Sequence, residues 1–150
     1  MNQKLSIIAA ALALGFTGAA QAQSQKMDRK VHNADEQRIE SDFKAAKEKC
    51  DSMQGNQKDI CVAEAKAHER VAKAENDAKN AKDQARANAR VERVKADAAY
   101  DVAKQKCQEN KGNEKDVCLK QAKADRDRAK ATGAKHERSA GTGSSKPERR

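Results

Sequence analysis

The chain has 150 residues, 37% of them charged, with a formal net charge of +9, two phenylalanines, one tyrosine and no tryptophan. So few large apolar residues exclude a sizeable globular core, and with it the desolvated pocket that most enzymes need. The filler is Ala, Lys, Glu, Gln and Arg, strong helix formers, so composition predicts an all-α chain of long, largely solvated helices.

At the N-terminus, Lys4 precedes an apolar run from Leu5 to Gly15, and Ala20-Gln21-Ala22 places small residues where a signal peptidase reads them. Residues 1–22 therefore read as a secretory signal peptide, cleaved after Ala22. No later stretch is apolar enough to cross a membrane. Residues 23–33 are polar, and a disordered N-terminus is expected there.

Residues 34–75 form the first copy of an internal repeat. Ile39, Phe43, Ala46, Cys50 and Met53 recur at alternating steps of four and three, as does the run Cys61, Ala65, His68, Ala72. Such stripes line the seam between two packed helices. The stripes are symmetric about Gly55-Asn56, and glycine tolerates the positive φ that ends a helix. Cys50 then faces Cys61, Ala46 faces Ala65, and Phe43 faces His68. The reading is an αα-hairpin stapled near its tip by a disulfide.

Residues 96–132 repeat the pattern 57 positions later. Cys107 and Cys118 take the places of Cys50 and Cys61, Gly112-Asn113 those of Gly55-Asn56, and Tyr100 that of Phe43. This copy is more polar and is expected to be looser. Four cysteines in an exported chain fit two disulfides and no free thiol. A longer hairpin turning near Gln84 would pair Cys50 with Cys118 and Cys61 with Cys107. It is disfavoured because it puts both Gly-Asn pairs in the middle of helices. Residues 76–95 lack Gly and Pro and read as a connecting helix, part of one continuous helix from about Gln57 to Asn110, with Asn76, Asn80 and Asn88 as weak points. Residues 133–150 are rich in Gly and Ser and carry Lys135, Arg138, Lys146, Arg149 and Arg150. They read as a disordered basic tail.

His32, His68 and His136 lie far apart and lack partners at metal-ligand spacing, so neither a metal site nor a cofactor is expected. No nucleophile has a recognisable base beside it, which points away from an enzyme. The Ala-Lys-Ala-Glu/Asp texture of residues 63–98 resembles the helical middle domain of TolA-like cell-envelope proteins of Gram-negative bacteria. That resemblance implies a periplasmic helical protein. The expected role is structural or interaction-based in the cell envelope, under stress among other conditions, with an envelope protein or a second copy of the chain as partner. The alternative is a polyanion-binding protein, drawn by its basic tail to lipopolysaccharide, an anionic membrane surface or nucleic acid. Nucleic acid is the poorest fit, because Phe43 and Tyr100 offer no base-stacking platform.

Overall fold

The computed structural model describes residues 17–141, with side chains described from Asp28 to Lys135. The described chain is four α-helices: α1 (Thr17–Asp51), α2 (Gly55–Lys79), α3 (Gln84–Lys106) and α4 (Gly112–Gly141), with a 3-10 turn, Cys107–Glu109, after α3. Each helix packs on the next in chain order. Ion pairs give the direction: Asp51–Lys58, Glu40–Lys73 and Asp35–Lys79 descend α1 as they climb α2. Glu64–Lys106, Arg70–Asp101 and Glu75–Lys95 do the same for α2 and α3. The fold is a row of antiparallel helices, all-α and stapled twice as the repeat predicts.

The helix seams are built from small residues. Ala65, Ala74, Ala78, Ala89, Ala96 and Ala98 are buried together with Ile39 and Val91. Ala74, Ala78 and Val91 form one cluster between α2 and α3, flanked by Ala87 and Val94. Alanine adds little apolar area, but it lets backbones approach closely and costs no side-chain entropy in a helix.

Three expectations need correction. The continuous helix through residues 76–95 is broken at 80–83, and α2 and α3 fold back on each other. The chemistry of the break is local. Asn80 leaves helical geometry at φ −111° and ψ 14°. Gln84 Nε2 donates to the carbonyls of Ala78 and Ala81, at 3.1 and 2.8 Å, bracing a turn in which the Ala81 N–H also donates to the Ala78 carbonyl at 3.2 Å. Asp83 then caps α3, its Oδ1 accepting from the Arg86 N–H at 2.9 Å. The turn imagined near Gln84 therefore exists, but together with local cysteine pairing rather than instead of it.

Residues 23–33, expected to be disordered, belong to α1. Their end of the helix is tied to α2, where Asn76 Nδ2 donates to the His32 carbonyl at 3.0 Å. The tail expected over 133–150 is helical as far as Gly141, where α4 ends, and residues 142–150 lie outside the described residues. Gly133 itself is buried against α3. A Cβ there would lie 3.3 Å from Glu92 Cβ, so its missing side chain permits a close approach that offsets poor helix propensity. The apolar run from Leu5 to Gly15, and Lys146, Arg149 and Arg150, lie outside the described residues.

Asp83→Ala removes the cap that starts α3. The expected loss is about 1 kcal/mol of unfolding free energy in urea, with helix content retained.

Candidate functional site

The two staples are near-identical constructions. Cys50–Cys61 and Cys107–Cys118 each hold Cα atoms 5.6 Å apart across eleven positions of sequence. At both tips the helix closes with the same hydrogen bond: Met53 N–H donates to the Cys50 carbonyl, and Asn110 N–H to the Cys107 carbonyl. Gly55 and Gly112 follow at φ +57° and +52°, a region where side-chain-bearing residues are strained. Cys50 and Cys107 are buried, and no cysteine is free. Asn56 does more than turn the chain. Its Nδ2 donates to the Gln105 carbonyl at 3.1 Å, tying the first tip to the end of α3 in the second repeat.

Along the hairpins the predicted layers meet. Ile39, Phe43, Ala46, Ala65, His68 and Ala72 line one groove of about 240 Å³ between α1 and α2. In the second repeat Tyr100 is clasped by cations, with Arg126 of α4 at 4.5 Å and Lys104 at 5.4 Å from its ring centre. Arg126 is held there by bonds from Nε and Nη2 to Asp127, at 2.9 and 2.8 Å. That interaction raises the Arg126 pKa and lowers that of Asp127. Lys130–Asp97, at 2.7 Å, closes α4 onto α3 further along. Lys130–Asp97 repeats the Lys73–Glu40 pair of the first hairpin, so ionic contacts join both copies and the cation–π clasp on Tyr100 distinguishes the second.

A larger groove, about 580 Å³, follows α2 between α1 and α3. Phe43, Val62 and Ala67 supply apolar lining. Among its charges, Asp101 takes Arg70 at 2.6 Å and Lys104 at 3.9 Å. Of the tail cations, Lys135 is exposed on α4 and Arg138 lies within the α4 backbone.

The histidines separate once the chain is folded. His68 is exposed on α2. His32 instead meets carboxylates that its sequence neighbourhood hid. Its Nε2 lies 3.3 Å from Asp77 Oδ1, across the α1–α2 seam. Glu36 joins them, the three ligand atoms lying within 4.8 Å of one another. The signal that could have found this cluster is the hairpin symmetry carried outward, which sets residue 32 opposite the end of α2.

Among the described residues no helix is long and apolar enough to cross a membrane. Comparison with protein-family models, curated proteins and solved structures gives no match for this chain.

Two outcomes follow from the staples and the ion pairs. The Cys50→Ala/Cys61→Ala double variant should lose about 3 kcal/mol of stability while far-UV circular dichroism remains helical, since propensity supports the helices locally. Acid should open the α1–α2 seam. The Lys79 hydrogen bond, with the charges of Lys79, Arg38 and His32, holds the Asp35 carboxyl below its ordinary range, against the opposing effect of partial burial. A carboxyl depressed in the folded state contributes stability above its unfolded value, near pH 4, and loses it as pH falls through the lowered one. Amide spectra between pH 5 and 2 should show α1 signals shifting first, with a smaller shift in Asp35→Asn.

Proposed function

We propose that the protein is exported to the periplasm and acts there as a non-enzymatic helical scaffold or interaction module of the cell envelope. The observation that carries this reading is the pair of disulfides closing both hairpin tips, a construction suited to an oxidising compartment. The signal-like N-terminus and the TolA-like texture support the same destination. The grooves support interaction rather than catalysis. They are open to solvent and mix charged with apolar side chains, which suits contact with a partner's surface better than proton transfer in a dry site.

Polyanion binding remains the second reading, and it draws on the net charge of +9. Lys58, Lys73, Lys79, Lys95, Lys106 and Lys130 are engaged with acids of neighbouring helices. The segment proposed to carry that attraction is 133–150, where Lys135, Arg138, Lys146, Arg149 and Arg150 outnumber the acids Glu137 and Glu148.

Expression in a Gram-negative host tests the destination. The chain should appear in the periplasmic fraction with an intact mass starting at Gln23 and four cysteines inaccessible to alkylation. Full-length, reduced protein confined to the cytosol would overturn the proposal.

A further inference from the structure

At the end of the first hairpin remote from its disulfide, α1 and α2 bring three metal-ligating side chains together. His32 and Glu36 stand one turn apart on α1, and Asp77 faces them from α2, their ligand atoms within 4.8 Å of one another. The geometry points to a binding site for a divalent transition-metal ion of the zinc type, bridging α1 to α2 through His32, Glu36 and Asp77. An imidazole with two carboxylates suits zinc better than calcium or magnesium, which take oxygen ligands. Ligand atoms around one zinc ion sit about 3–3.5 Å apart at bond lengths near 2.1 Å, so closing the site needs only side-chain movement.

Several features set this cluster apart from a chance meeting of surface charges. His32 is held at both its backbone and its ring. Asn76 Nδ2 donates to its carbonyl at 3.0 Å, and Asp77 Oδ1 faces its Nε2 at 3.3 Å. Asn76 is only 2% exposed, and its Oδ1 is buried without a hydrogen-bond partner. Asn76, which holds the His32 carbonyl and immediately precedes Asp77, thus keeps an unmet buried acceptor at this end of the hairpin. Arg90 Nη2 lies 3.9 Å from Asp77 Oδ2, the oxygen turned away from His32, where it can orient the ligating carboxylate from outside. A depression of about 240 Å³, lined by Asp28, Arg29, His32, Asn33, Asp77 and Asn80, gives an ion access from solvent past one cation and a further carboxylate.

Such an ion would be a second clamp. Cys50 lies about 27 Å along α1 from His32, at 1.5 Å per residue. One end of the hairpin is closed by a covalent bond, the other by a metal whose occupancy follows its concentration.

The test uses the full disulfide-bonded chain and zinc chloride alone. Calorimetry should give one site per chain, and zinc should raise the melting temperature. His32→Ala and Asp77→Asn should each weaken binding roughly tenfold or more, while His68→Ala leaves it unchanged. In the unsubstituted protein, the imidazole nitrogen signals of His32 should move on zinc addition and those of His68 should not. That measurement decides the matter alone if a variant loses its helical circular dichroism. Absence of saturable binding, undiminished affinity in folded His32→Ala, or movement of the His68 or His136 imidazole in place of His32 would overturn the assignment.

Discussion

Helices that meet through alanine must come close or not pack at all. Every other feature of this fold answers that constraint. A leucine seam could hold two helices together through its own area, about 25 cal/mol for each Å² buried. Here the seam residues are Ala46 against Ala65 and Ala74 and Ala78 against Val91, so association needs other help. The disulfides provide it at the two Gly-Asn tips, where close approach also satisfies cystine geometry. Between the tips, interhelical ion pairs spaced from about one to about four turns apart fix the register. Individually such exposed pairs contribute little, and their arrangement matters more than their sum.

Much of this could be read from the order of residues. The symmetry of each block about its Gly-Asn pair identified the staples, the tips and the Phe43–His68 layer, because a hairpin is a mirror in sequence. What it did not reveal lay beyond the mirror's reach. Gln84 has good helix propensity, and only its side-chain bonds to Ala78 and Ala81, beside the Asp83 cap, make it part of a turn. Gly133 and its neighbours look like the start of a tail until α3 supplies a surface against which a missing Cβ is an advantage. In the first case side-chain bonds within the turn, and in the second a tertiary contact, overrode a helix or loop preference.

The histidine cluster was hidden for a related reason. His32 and Asp77 are 45 positions apart, and Asp77 sits in a stretch where acids and bases alternate. Composition there reports a solvated helix face. Only the pairing of α1 with α2 selects, from many carboxylates, the one that stands opposite an imidazole.

The surface that joins the two repeats has a counterpart one repeat away on each of their outer faces. The second repeat docks on the first through Ala74 and Ala78 of α2 and Ala87, Val91 and Val94 of α3. Shifted by one repeat, those positions become Ala131 and Lys135 on α4, and Lys30, Ala34 and Gln37 on α1. All five are exposed. The apolar patch that joins the units has been replaced at both outer faces by lysine, glutamine and small alanine. Polar faces of this kind keep stacked repeats from joining further copies, so the apolar docking surface is confined to one face of each unit. Divergence between the copies, rather than their shared pattern, decides which face of each unit is sticky.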